Sequence, residues 1–140
     1  MSRIGTQKTA MMCVYHMWLE DYQPATIINA GTGGCPEKAI WDWMYPDAKK
    51  IAIDPRRNRG EWDKKVHGLL GATDGKGTFC RHCKRTTCRT PDVVEDHIKK
   101  GHVVEKDQVT IDTLVQGFPP PYFIWMDIDG SELEALKGAT

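Results

Sequence analysis

The sequence has little of what would mark a membrane, secreted or nucleic-acid-coating protein. Its 140 residues carry 19 Lys+Arg against 19 Asp+Glu. It therefore lacks the basic excess that draws a chain electrostatically to nucleic acid or to a membrane surface. No apolar run approaches the ~20 residues of a transmembrane helix, so no membrane association is expected. Met1 to Thr9 shows no charged-then-apolar signal pattern, and the expected location is the cytoplasm. There is no internal repeat and no low-complexity tract. Cysteine is sparse and odd in number, five in all, yet Cys80, Cys83 and Cys88 fall close together beside histidines. Without a secretion signal, that grouping reads as metal ligands rather than a disulfide framework. What remains is a neutral chain that can bury roughly two-thirds of the surface its unfolded form exposes, a single domain over residues 1–140.

Met12, Tyr15, His16 and Leu19 recur at helical spacing and predict an amphipathic helix over residues 9–22, stopped by Pro24. Residues 25–30 form a short β-prone run that enters Gly31-Thr32-Gly33-Gly34, a strand into a glycine turn. Pro36 suits a first helical position, and a helix is expected over residues 37–45 until Pro46 ends it. A second strand is expected over residues 50–54, then a polar stretch over 56–65. Residues 66–70 and 76–80 flank Asp74-Gly75 and predict a hairpin. Helix start and stop signals bracket residues 93–100, and residues 109–115 are ambiguous. Residues 119–121 are prolines leading into Tyr122-Phe123-Ile124-Trp125-Met126, which suits a strand buried on both faces. A turn at Asp129-Gly130-Ser131 opens a last helix from Glu132. Short apolar strands alternating with helices predict an α/β layered domain with a mostly parallel sheet.

A strand, a glycine turn, a helix and a second strand ending in Asp54 form a nucleotide-type arrangement. Glycines let the backbone approach a ligand, and the helix start offers N–H groups. Asp54 lies 23 positions after Gly31, near the ~20 at which an acid accepts ribose hydroxyls. Pro36 interrupts the full dinucleotide pattern, which favours a ligand with ribose but no pyrophosphate. The competing account makes the glycines a plain turn and Asp54 a loop cap. Past the last strand, Asp127, Asp129 and Glu132 cluster where open α/β sheets bind ligands. Carboxylates there can position a cation or hydroxyl, act as general base, or hold magnesium. Alternatively, Asp129 or Ser131 caps the last helix and Glu132 favours its first turn.

These clusters carry a resemblance to the FkbM-type family of S-adenosylmethionine-dependent methyltransferases. The cofactor loop is Ile27-Ile28-Asn29-Ala30-Gly31-Thr32-Gly33-Gly34, and Ile53-Asp54-Pro55 carries the ribose acid. Residues 66–79 resemble the family's hairpin and 109–114 its segment before the last strand. Ile124-Trp125-Met126-Asp127-Ile128-Asp129-Gly130-Ser131-Glu132-Leu133-Glu134-Ala135-Leu136-Lys137-Gly138-Ala139 is the most specific match. The resemblance implies a Rossmann-like domain that transfers a methyl group to a hydroxyl, here of a small molecule or sugar. It implies that Gly31 and Gly33 face the cofactor's methionine part and Asp54 its ribose. Asp127 and Asp129 would lie near the sulfonium, as cofactor contact and catalytic carboxylates. Asn29 stands where the family usually has an acid that contacts the cofactor's amino group. The family also continues for several strands beyond residues 136–139, so the fold is expected to be incomplete relative to the full methyltransferase. The last strand is then an open edge that a second copy or another partner would cover.

Cys80-x2-Cys83, thirteen residues, then His97-x4-His102 comes close to the spacing of a zinc finger. Two thiolates from a tight turn and two imidazoles from a helix end make a tetrahedral set, and an all-protein set is structural. Residues 80–102 thus read as a zinc-binding insert, with Cys88 and His82 as spare ligands. Mixed charges around it argue for a solvated face rather than nucleic-acid binding. The rival to an enzyme is a non-catalytic zinc-binding interaction module on a degenerate Rossmann-like scaffold. The five tryptophans are expected in the core.

Overall fold

A computed structural model describes residues 21–33, 37–56, 58–82 and 91–140. The expected helix at 9–22 therefore lies almost wholly outside the described residues, as do Cys83, Cys88 and Trp18.

β1 (Thr26–Ala30) is buried along its whole length, as befits a central strand with no polar face. α1 (Lys38–Met44) follows it and returns the chain to β2 (Lys49–Ile53), which pairs parallel to β1 in the register Ile28↔Ile51 and Ala30↔Ile53. The end of α1 is held by a buried cation: Lys50 Nζ donates to the carbonyls of Tyr45 and Ala48 at 3.0 Å each. β3 (Lys64–Val66) adds in parallel to β2 from within the stretch read as polar loop. β7 (Tyr122–Met126) lies parallel on the other side of β1, giving the order β3-β2-β1-β7. All three pairings in this first sheet are parallel, and the order reverses at β1. The expected α/β architecture with a mostly parallel sheet and flanking helices is thus what the chain adopts.

Strand alternation divides the core between the two sheet faces. Ile28, Ala30, Ile51 and Ile53 face Leu70, Ile111, Leu114 and Ala135. Ile27 faces Trp41, Tyr45 and Ala48, with Phe123 and Trp125 packed against them. Trp41 is wholly buried and meets the Phe123 and Trp125 rings edge-on at 6.4 and 6.3 Å. Burying one such side chain contributes on the order of 3 kcal/mol.

Three expectations are corrected. The hairpin does not form: β4 (Leu69–Leu70) pairs parallel with β6 (Val103–Val109), and β5 (Gly75–Cys80) pairs antiparallel with β6. The second sheet therefore has the order β4-β6-β5. Asp74 does not turn a hairpin because its carboxylate is engaged elsewhere. It accepts from Thr110 N at 2.7 Å and Thr113 Oγ1 at 2.6 Å, at the start of α3 (Ile111–Leu114). β7 is not buried on both faces; it is half-buried, at the end of the strand order among the described residues. The tryptophans are not uniformly core, since Trp43 is 68% exposed on the outer side of α1. In the ambiguous segment, Thr110 Oγ1 caps α3 by accepting from Thr113 N. The predicted helix at 93–100 is α2 (Pro91–Lys99), and α4 (Glu132–Lys137) closes the described chain.

Candidate functional site

Each parallel strand of the first sheet ends on the same edge, and the ladder runs one residue beyond the strands. Gly31 N donates to Ile53 O at 2.9 Å, Asp127 N to Ala30 O at 3.0 Å, and Asp54 N to Val66 O at 3.2 Å. This stitching places Gly31, Asp54 and Asp127 side by side at the point where the strand order reverses, the usual ligand site of open α/β sheets. A cleft with about 470 Å³ of empty space, part of it open to solvent, lies there. Ala30, Gly31, Asp54 and Arg56 line one side and Asp127, Asp129 and Ser131 the other. The second sheet and the chain before it add Gly68, Leu69, Leu70 and Phe79.

Asp54 is 1% exposed, a depth at which a carboxylate requires partners. Its Oδ1 accepts from Arg56 N at 2.7 Å and its Oδ2 from Gly33 N at 3.2 Å. The Arg56 guanidinium stands 3.8 Å away through Nε. Asp54 thus ties the glycine loop to the end of β2.

Gly31 is required by geometry. Its φ is +83°, and a Cβ there would sit 2.0 Å from Asp127 O. Gly33 has φ +48° but nothing within 4 Å of a Cβ position, so the loop leaves open space beside it. Asn29 is 1% exposed. Alternation puts it on the Ile27 face, toward the Trp41 cluster, and it is not among the cleft-lining residues.

The loop after β7 is bent through two left-handed residues, Asp129 at φ 57° and Gly130 at φ 98°. The bend is held by Glu132, whose Oε1 accepts from Ile128 N at 3.1 Å and whose Oε2 accepts from Gly130 N at 2.9 Å. Glu132 therefore shapes the loop, and Ser131, at the N-cap position, makes no side-chain cap bond. Asp127 and Asp129 are exposed at the mouth of the cleft. Among the described residues, three carboxylates, Asp54, Asp127 and Asp129, and the Arg56 guanidinium line the cleft, so this lining favours a cationic or hydroxyl-bearing ligand.

Sequence reasoning missed Arg56 and the apolar wall of Leu69, Leu70 and Phe79. The first follows directly on the Asp54-Pro55 motif, which was a local signal. The second came from a segment read as an independent hairpin.

Among the described residues, no group of three or more His, Cys, Asp or Glu side chains is arranged to hold a metal ion. Asp127, Asp129 and Glu132 are thus not gathered as a magnesium set. Of the zinc ligands expected, Cys83 lies outside the described residues, and Cys80, His97 and His102 lie around the Cys80↔Val103 end of the β5–β6 ladder. No helix among the described residues is long and apolar enough to cross a membrane.

Residues 42–140 match the profile of the methyltransferase FkbM domain. Comparisons with curated proteins and with solved structures give no match.

Proposed function

Because the chain belongs to the FkbM methyltransferase family, we propose that it binds S-adenosylmethionine in the cleft at the strand ends and methylates a hydroxyl of a small molecule or sugar. The observation that carries this reading is the buried Asp54 carboxylate. It is fixed by Gly33 N and Arg56 N at the end of β2 and shares one cleft with Asp127 and Asp129. The residues present fit the cofactor. An anionic lining suits its sulfonium and ammonium charges, Asp54 offers a carboxylate acceptor to ribose hydroxyls, and Leu69, Leu70 and Phe79 offer an apolar wall to a base.

When bound, the cofactor supplies an electrophilic methyl group, so the chemistry asks the protein chiefly for positioning. Asp54 and the Gly31–Gly33 turn orient the ligand from the β1–β2 side. Asp127 and Asp129, exposed at the mouth, would align the acceptor hydroxyl and accept the proton it gives up. The second sheet walls the cleft on one side and keeps bulk water from part of it.

Isothermal calorimetry with the demethylated product, S-adenosylhomocysteine, tests the binding step without needing the acceptor. Saturable one-site heat supports the reading, and no heat at millimolar ligand overturns it. Asp127→Asn and Asp129→Asn separate the roles: each should lower methyl transfer, once an acceptor is found, by far more than it weakens product binding.

A further inference from the structure

The three consecutive residues of the turn after β1 are each held by a different partner. Gly31 N donates to Ile53 O at 2.9 Å, and Gly33 N donates to Asp54 Oδ2 at 3.2 Å. Between them Thr32, 3% exposed, donates from Oγ1 to Asn58 Oδ1 at 3.1 Å. Asn58 in turn donates from Nδ2 to Val66 O at 2.8 Å, the same carbonyl that accepts from Asp54 N at 3.2 Å. A carbonyl oxygen only accepts, so the Val66 contact requires the NH₂ of the amide and leaves the amide oxygen for the Thr32 hydroxyl. The sheet explains why such a link is needed. β2 lies between β1 and β3, so the ends of β1 and β3 stand roughly 10 Å apart, two strand spacings. The chain leaving β2 carries Asn58 to that gap, and one side chain joins the turn after β1 to the last residue of β3. Neither Thr32 nor Asn58 is among the residues lining the cleft.

Resting on the reading of the cleft as a cofactor site, we propose that Asn58 is a positioning residue for that ligand. Its amide clasps the glycine turn to β3 and holds the turn in its binding form, so a residue outside the cleft helps to set the affinity. The turn needs a clasp because Gly31 and Gly33 both have positive φ, +83° and +48°, and glycine backbone samples many other conformations when unrestrained. Restraints made before the ligand arrives remove that ordering cost from binding. Asparagine suits both ends of the link. Aspartate at this position keeps an acceptor for Thr32 but sets a carboxylate against Val66 O, and alanine loses both contacts.

Two measurements on the full chain test the clasp. Hydrogen exchange at the Gly33 amide, followed by NMR, reads it without ligand, with Ile28 in buried β1 as the reporter of global opening. Calorimetry with S-adenosylhomocysteine reads its effect on binding. Asn58→Ala and Thr32→Val should each speed Gly33 exchange relative to Ile28, and each should weaken product binding, by about three- to tenfold, the worth of a neutral hydrogen bond. The double variant should lose no more than the larger single loss, because both substitutions cut one link. Asn58→Asp should behave like Asn58→Ala, and Thr32→Ser should restore what Thr32→Val loses. A merely structural Asn58 would instead speed Gly33 and Ile28 alike and leave product affinity unchanged, which overturns the proposal. So do additive losses in the double variant, and so does faster Gly33 exchange at unchanged affinity. Thr32→Val cuts the link from its other end, so an Asn58 variant that fails to fold does not shield the proposal. A wild-type chain that gives no heat with the product refutes the cofactor reading and the affinity claim with it. Wild-type Gly33 exchange in the variants refutes the clasp itself, so the two failures are told apart.

Discussion

Replacing Asp54 by asparagine probes the join between fold and site. The wild-type carboxylate is 1% exposed and accepts one backbone N–H on each oxygen, from Arg56 at 2.7 Å and Gly33 at 3.2 Å. Asparagine keeps one oxygen and turns an NH₂ donor toward the other N–H, so one bond is lost and two donors are opposed. A group deprived of its partner at this depth costs about 1–3 kcal/mol. The Arg56 ion pair adds little, because the guanidinium is nearly half exposed and the contact is 3.8 Å. Against a domain stability of about 5–15 kcal/mol, the variant still folds. With a urea slope of about 1–3 kcal/mol/M, the unfolding midpoint should fall by about 1 M. The same substitution halves the acceptor capacity offered to ribose hydroxyls. S-adenosylhomocysteine affinity should drop at least about tenfold, equivalent to about 1.4 kcal/mol. A midpoint within about 0.2 M of wild type would show that the carboxylate does not hold the glycine loop, the slope being large enough to resolve it. A shifted midpoint with unchanged affinity would leave the loop role intact and refute the ribose role.

The two glycines of the loop should separate in the same pair of assays. Gly31→Ala puts a Cβ 2.0 Å from Asp127 O at φ +83°, which should cost about 2–5 kcal/mol from overpacking and left-handed strain together. Gly33→Ala meets nothing within 4 Å and should cost only about 1 kcal/mol, yet it should weaken product binding; equal costs at the two positions would sink the geometric argument. The Thr113 hydroxyl and the Thr110 N–H hold the Asp74 carboxyl below its ordinary value of 3.8. Because its folded pKa is depressed, its contribution to stability is present above pH 3.8 and is lost as the pH falls through the lower folded value. Asp74→Asn should therefore flatten the stability profile on the acid side of that value, and urea melts giving Asp74→Asn and wild type the same slope there would refute the Asp74 contribution.

The sequence by itself determined what local chemistry specifies. β1, β2 and β7 were legible as apolar β-prone runs bounded by glycine and proline, and α1 and α4 by their start and stop residues. Asp54, Asp127 and Asp129 were legible because ligand sites in parallel sheets gather at strand ends, so a strand followed by an acid already locates the residue. Tertiary structure decided who pairs with whom. Val103–Val109 carries three consecutive charges, Glu105-Lys106-Asp107, and looks like loop until β4 and β5 supply its partners on either side. Lys64–Val66 becomes a strand only because β2 offers a free edge. The face taken by Asn29, the turn of Glu132 toward two backbone N–H groups, and the wall of Leu69, Leu70 and Phe79 were likewise settled at long range. The physical reason is the same throughout. Backbone preference and side-chain period act over a few residues, whereas the satisfaction of buried donors and the filling of the space above a sheet depend on segments tens of residues apart.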